Sequence, residues 1–127
     1  MNDQLVSIIT PAYKAAAYIG ETIESVLAQT YPHWELLIAN DCSPDNTSEV
    51  VQAYCDRDSR IKLINMTQNG GPAAARNAAL SKAQGRWFAF LDSDDLWLPS
   101  KLEKSIAHAQ ANNAAIVFTA FRRISAN

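Results

Sequence analysis

"LVSIIT", residues 5–10, is apolar at nearly every position and contains the β-branched side chains of Val6, Ile8 and Ile9. A half-exposed strand alternates apolar with polar residues, whereas a strand covered on both faces is apolar almost throughout. The stretch therefore predicts a central β-strand of a sheet that is covered on both sides.

A helical pattern follows this strand at residues 18–29. Ile19, Ile23, Val26 and Leu27 recur at offsets of four, seven and eight, so they share one face of an amphipathic helix, with Gln29 away from that face. The change from strand to helix then repeats along the chain. Further strands are predicted at 34–40, 61–66, 87–91 and 114–121, and further helices at 46–54, 72–84 and 99–113.

This alternation predicts an α/β fold with a mainly parallel, Rossmann-like sheet and helices on both faces. The length of 127 residues and the 48% hydrophobic content suit one domain over residues 1–127. Ligands bind such sheets beyond the carboxyl ends of the strands, where the strand order reverses. Four polar stretches lie at predicted strand ends: TPAY (10–13), NDCSPDNT (40–47), NGGPAAARN (69–77) and DSDD (92–95).

Composition argues against several other classes of protein. The net charge is −2, and 11 basic residues are scattered among 13 acidic ones, so we expect no nucleic-acid partner. No signal peptide opens the chain, and no stretch reaches the ~18 apolar residues of a membrane helix, so we expect a cytoplasmic protein. Cys42 and Cys55 lack zinc-site spacing and are expected to be reduced.

Asp92 and Asp94 lie two residues apart at a strand end, so their side chains can point the same way. Two convergent carboxylates repel each other unless a cation or strong donors lie between them. Mg²⁺ or Mn²⁺ held in this way takes its other ligands from phosphate and water, which predicts a metal site for a phosphate-bearing substrate. The alternative is a turn and helix entry, since Asp and Ser accept backbone N–H bonds.

The other strand ends offer complementary groups. Gly70 and Gly71 precede a helix whose N-terminus suits an anion, and Arg76 in that helix can clamp a pyrophosphate. Tyr13 can stack on a flat ring, and Asp41 can accept a hydrogen bond from a base or hydroxyl. The alternatives are a Gly-Gly turn with a solvated arginine, a tyrosine at the rim of the core, and an aspartate that caps a loop.

Taken in order, the four stretches resemble the N-terminal part of the family 2 glycosyltransferases of the GT-A type. One such motif is weak, but the ordered set is specific. The segments that carry the resemblance are VSIITPAYK (6–14), YIGETIESVLAQTYPHWELLIANDCSPDNT (18–47), NGGPAAARNAAL (69–80) and GRWFAFLDSDDLWLPSKLE (85–103).

The resemblance implies binding of a nucleotide-diphospho-sugar, most often a UDP-sugar, and transfer of the sugar to an acceptor hydroxyl with inversion. It implies Mg²⁺ or Mn²⁺ as cofactor, with Asp94 as the direct metal ligand. It also implies nucleotide-binding roles for five residues: Pro11 and Tyr13 in the base pocket, Asp41 on the base, Arg76 near the nucleotide, and Asp92 near the ribose or a metal-bound water.

The chain also departs from the family pattern. Asn40 stands where the family usually carries the first of two aspartates. Family members continue beyond the fifth strand into an acceptor-binding half that supplies the catalytic aspartate, so we expect the donor-binding part of a longer transferase. No residue is assigned as the general base, and Asp95 belongs to the donor motif.

The expected partners are a nucleotide-sugar donor and a saccharide or lipid-linked acceptor, the latter at the inner face of the membrane. A homodimer is expected if the absence of an acceptor-binding half leaves apolar surface exposed. Two alternative functions stay open: a nucleotidyltransferase and a non-catalytic nucleotide-binding fragment.

Overall fold

A computed structural model describes residues 4–111, in which four strands alternate with four helices. The strands are β1 (Val6–Ala12), β2 (Trp34–Asn40), β3 (Ile61–Asn65) and β4 (Trp87–Phe90). The helices are α1 (Ile19–Leu27), α2 (Thr47–Arg57), α3 (Gly71–Leu80) and α4 (Lys101–Ala111). The fifth strand predicted at 114–121 lies outside the described residues.

All strand pairs of this sheet are parallel, and the order is β3-β2-β1-β4. Val6 of β1 is in register with Trp34 of β2 on one side and with Trp87 of β4 on the other. The chain thus steps outward from β1 to β3 and then returns to β4 on the opposite side of β1. The strand order reverses between β1 and β4, and the predicted α/β class is confirmed.

Helices cover both faces of the sheet. Ile8 of β1 packs on the side that holds α1, α2 and α4, in a core with the buried Trp34 and Leu36 of β2. Ile9 points to the opposite side, where it packs against Ala75 and Ala79 of α3. This alternation explains why β1 is apolar at almost every position, since its two faces enter two separate cores.

A buried polar group fixes the connection from α3 to β4. Glu35 is 4% exposed, and its carboxylate accepts hydrogen bonds from Ser7 Oγ at 2.6 Å and from the Gln84 backbone N–H at 2.7 Å. The Gly85 N–H donates to Ser7 Oγ at 2.8 Å, and Lys62 Nζ pairs with Glu35 at 3.3 Å. Helix α3 therefore ends at Leu80 rather than near residue 84, because the next segment bonds to the sheet.

The start of α2 differs from the prediction. Asn46 is the N-cap residue but makes no side-chain capping bond, so the predicted capping box with Glu49 is wrong. Asp45 instead accepts from the Thr47 backbone N–H at 3.1 Å. The Thr47 hydroxyl in turn accepts the Ala15 N–H at 3.0 Å, which ties α2 to the loop after β1.

Within residues 4–111, no helix combines the length and the apolar character that crossing a membrane requires.

Candidate functional site

A cleft of about 590 Å³ opens at the carboxyl ends of β1 and β4, where the strand order reverses. This is the position at which open α/β sheets bind ligands, and the volume suits a small-molecule site. All six residues that the sequence analysis assigned to a binding site line this cleft: Pro11, Tyr13, Asp41, Arg76, Asp92 and Asp94.

The end of β1 presents an aromatic ring at the cleft. Tyr13 is 47% exposed, and the next residue, Lys14, has a positive φ of 53°. A non-glycine residue rarely adopts this conformation, and here it turns the chain away from the strand. The turn is held because the Lys14 N–H donates to Ser43 Oγ at 3.0 Å. The Lys14 ammonium lies over the Tyr13 ring, 5.4 Å from its centroid, and the part of the ring that stays exposed is accessible for stacking.

Asp41 is buried and joins two of the nominated stretches. Its Oδ1 accepts the Gly70 N–H and its Oδ2 accepts the Gly71 N–H, each at 2.8 Å. Asn69 Nδ2 donates to the Asp41 carbonyl at 2.9 Å. Gly71 has a φ of 88°, which suits glycine and not a residue with a side chain. The carboxylate of Asp41 is therefore the N-terminal cap of α3.

This contact corrects the expected anion site at the start of α3. The Gly70 and Gly71 amides bind the carboxylate of Asp41, so a phosphate cannot use them while this cap is in place. Each carboxylate oxygen accepts more than one hydrogen bond, so Asp41 keeps acceptor capacity at the cleft that it lines. The expected contact between Asp41 and a base stays a prediction.

Arg76 extends from α3 toward the end of β4. Its Nη2 lies 3.7 Å from Asp92 Oδ1, and the two side chains are 41% and 44% exposed. Exposed ion pairs contribute about 0–1 kcal/mol, so this pair can open at little cost when another anion enters the cleft. Arg76 is therefore a paired residue at the cleft and not an isolated solvated side chain.

Residues 92–95, which begin two positions after the last residue of β4, form what we call the acid loop. Carboxylate oxygens of Asp92, Asp94 and Asp95 all lie within 4.8 Å of one another. Asp94 is exposed, Asp92 is half-buried and Asp95 is 1% exposed. The Asp95 N–H donates to the Asp92 carbonyl at 3.1 Å, so the loop is also a turn, as the alternative interpretation expected.

The donor set of the acid loop fits Mg²⁺ or Mn²⁺. It offers only oxygen ligands, which these ions prefer, and it contains no histidine or cysteine that would favour zinc. Asp95 was not assigned as a ligand from the sequence, although it follows Asp94 directly. Its burial arises from tertiary packing, which a local motif does not reveal.

The cleft also contains residues that the sequence reasoning missed. Lys14, Tyr18 and Asn69 all belong to its lining. Lys14 directly follows Tyr13, and Asn69 opens the stretch NGGPAAARN, so both stood beside the signals used, although neither was assigned a role. Tyr18 is the N-cap residue of α1 and comes into the cleft through the turn at the end of β1.

Comparison with known proteins matches nearly the whole chain to a single protein family. Glycosyl transferase family 2 matches residues 7–127. The chain is 47% identical over 127 residues to the Escherichia coli UDP-Glc:alpha-D-GlcNAc-diphosphoundecaprenol beta-1,3-glucosyltransferase WfgD, covering 100% of this chain and 49% of that protein. The chain spans about half the length of the first curated relatives it matches.

Solved structures share the fold described above. S. aureus TarS 1–349 in complex with UDP-GlcNAc matches with a TM-score of 0.80 and 32% identity, over 85% of this chain and 32% of TarS. The mannosyltransferase PcManGT from Pyrobaculum calidifontis, in complex with GDP-Man and Mn²⁺, matches with a TM-score of 0.72 and 29% identity. That match covers 83% of this chain and 31% of PcManGT. The expected GT-A type of fold is confirmed by these matches.

Proposed function

The chain belongs to glycosyl transferase family 2, and we propose that its cleft binds the nucleoside diphosphate part of a sugar donor together with Mg²⁺ or Mn²⁺. We propose a UDP-sugar as the donor and an acceptor hydroxyl as the site of transfer. The observation that carries the proposal is the meeting of an exposed aromatic ring, a buried carboxylate, an arginine and a carboxylate cluster in one cleft.

The base end of the donor lies at Tyr13 and Asp41 in this proposal. The Tyr13 ring stacks on the base, and the backbone near Pro11 forms the floor of the pocket. A carboxylate only accepts hydrogen bonds, so Asp41 favours a base that presents an N–H. Uracil presents one at N3, whereas cytosine presents an acceptor at the same ring position, and we therefore expect UDP to bind more tightly than CDP.

The diphosphate end lies between the acid loop and α3. Asp94, the exposed carboxylate of the cluster, holds the metal ion, and Asp92 contacts the ribose or a metal-bound water. Arg76 exchanges its weak pair with Asp92 for a phosphate group, two oxygens of which can accept parallel N–H bonds from the guanidinium. When bound, the metal supplies Lewis-acid neutralisation of the negative charge on the departing nucleoside diphosphate.

In the proposed transfer, the acceptor oxygen bonds to the anomeric carbon as the bond to the diphosphate breaks, which inverts that carbon. The hydroxyl proton passes to a general base, a role that none of the six cleft residues takes in this proposal. WfgD is named for a diphosphoundecaprenol-linked acceptor. A lipid-linked saccharide at the inner face of the membrane is accordingly the acceptor that we propose.

The test is a binding titration of the 127-residue chain with UDP, GDP, CDP and ADP, each with and without Mn²⁺. We expect UDP to bind only with Mn²⁺ and to raise stability by about 2.7 kcal/mol at a hundredfold excess over its Kd. Asp94→Asn should lose the Mn²⁺-dependent binding. Asp56→Asn is the matched control, because Asp56 is exposed on α2 and bonds only to Gln52 among the contacts described.

Equal UDP binding with and without Mn²⁺, or unchanged binding by Asp94→Asn, would contradict the metal assignment. A parallel titration with UTP tests the alternative function, since tighter binding of UTP than of UDP, with release of pyrophosphate on turnover, would favour a nucleotidyltransferase instead.

A further inference from the structure

Three polar side chains within the sequence ETIESVLAQ (21–29) face the segment that follows β4. Thr22, Ser25 and Gln29 are three and four residues apart, a spacing that puts them on one side of α1 and its C-terminal extension. We call these three residues the α1 polar row. Gln29 was expected on the solvent side of the helix, but it is 8% exposed.

Thr22 bonds to the acid loop at the two residues that flank Asp94. Its Oγ1 lies 2.8 Å from the Ser93 carbonyl and 2.8 Å from the Asp95 carbonyl. A hydroxyl has one hydrogen, which is shared between these two acceptors. Thr22 is 1% exposed, so bulk water does not reach this contact. The carbonyls of the two residues that flank Asp94 are thus anchored on one side chain.

The rest of the row continues along the same stretch of backbone. The Trp97 N–H donates to Ser25 Oγ at 3.3 Å. Gln29 Nε2 donates to the Leu98 carbonyl at 2.8 Å, and Gln29 Oε1 accepts the Leu102 N–H at 3.0 Å. Every contact is to the main chain, so the row fixes the path of the backbone from the acid loop to α4.

We propose that the α1 polar row positions the acid loop, with Thr22 setting the backbone on which Asp94 meets the metal ion. This inference rests on the proposed function. Three carboxylates within 4.8 Å repel one another when no cation is bound, which tends to spread the loop. An anchor on the two carbonyls beside Asp94 opposes that spreading and holds the site in a form ready for the ion.

Thr22→Val is the decisive variant, because valine has nearly the shape of threonine and lacks the hydroxyl. We expect the Kd of Mn²⁺, measured with UDP present, to rise about three- to tenfold, as the loss of one buried hydrogen bond predicts. Hydrogen exchange of the Asp95 and Trp97 amides should also speed up. Thr22→Ser keeps the hydroxyl and should restore the Kd to within about twofold of the wild type.

Thr30→Val is the matched control. The Thr30 hydroxyl is exposed and bonds the Pro99 carbonyl at 3.3 Å and Glu103 at 2.6 Å, so its loss removes two bonds to the chain around the start of α4 but leaves the acid loop untouched. We expect this variant to leave the Mn²⁺ affinity unchanged. Equal weakening by Thr22→Val and Thr30→Val would overturn the proposal, because it would reflect general destabilisation.

The remaining outcomes separate the two proposals. If the wild type binds neither Mn²⁺ nor UDP, the proposed function fails and this inference fails with it. If the wild type binds both and Thr22→Val binds Mn²⁺ equally well, only the positioning role is overturned. Should Thr22→Val not fold, Ser25→Ala replaces it, and an unchanged Mn²⁺ Kd in that variant would overturn the proposal as well.

Discussion

Replacing Asp41 with asparagine is expected to lower the free energy of unfolding by about 2–4 kcal/mol, although the side chain keeps its size. The two carboxylate oxygens each accept one backbone N–H at 2.8 Å, from Gly70 and Gly71. Asparagine offers one acceptor oxygen, and its amide group turns a donor toward the second N–H. A hydrogen bond to a charged group contributes about 1.5–3 kcal/mol, and a buried N–H without an acceptor costs about 1–3 kcal/mol.

The assay is equilibrium unfolding in urea, with the wild type and Asp56→Asn measured beside Asp41→Asn. The exposed Asp56 controls for loss of one negative charge, and its replacement should change stability by less than about 0.5 kcal/mol. The cap also shapes the cleft, so Asp41→Asn should weaken UDP binding and reduce the preference for UDP over CDP. If Asp41→Asn were as stable as Asp56→Asn, the carboxylate would not be holding the two glycine amides.

The buried polar group at the connection from α3 to β4 yields two further predictions. Burial raises the pKa of Glu35, but hydrogen bonds from Gln84 and Ser7 and the pair with Lys62 outweigh it, so the pKa lies below its usual 4.5. The ionised Glu35 therefore stabilises the fold fully above pH 4.5, and this stabilisation is lost as the pH falls through the lowered pKa. In Glu35→Gln, the free energy of unfolding measured with urea should depend less on pH across this acid range. Gly85→Ala would put a Cβ 2.7 Å from Ser7 Oγ and 2.7 Å from the Leu5 carbonyl oxygen. We therefore expect thermal unfolding to show a free energy of unfolding lower by about 1–3 kcal/mol. A melting temperature equal to that of the wild type would contradict this close approach of Gly85 to β1.

The fold could be predicted because its signals are local. The apolar run of β1 and the helical spacing of Ile19, Ile23 and Val26 each lie within one element, and strict alternation of such elements restricts the topology to few choices. The meeting of the nominated residues follows from the same logic, since parallel strands end at one edge of the sheet. Tyr13 and Asp94 therefore share a cleft although 81 residues separate them.

The contacts that the sequence did not reveal are tertiary. Asp41 reaches amides 29 and 30 residues away, and nothing in the stretch around it indicates that partner. Gln29 is polar and lies away from the apolar face of α1, as a solvent-facing residue would, yet the segment around Leu98, 69 residues later, covers it. Asn46 is a good cap by type, but it makes no side-chain capping bond, and the start of α2 is instead tied by the Thr47 hydroxyl to the N–H of Ala15, 32 residues earlier. Each case depends on which backbone donors other elements bring near, and this information is absent from local periodicity.

The place of β4 beside β1 has a consequence for synthesis of the chain. Val6 pairs with Trp87, so the central strand β1 has no second neighbour until synthesis has passed β4 (Trp87–Phe90). During that interval β1 has one edge of unpaired backbone groups, the kind of edge that recruits strands from other molecules. The same event closes that edge and delivers the acid loop to the cleft. When β4 docks, the edge of the described sheet passes from the apolar central strand β1 to the four-residue β4, a shorter edge that is less able to recruit other strands.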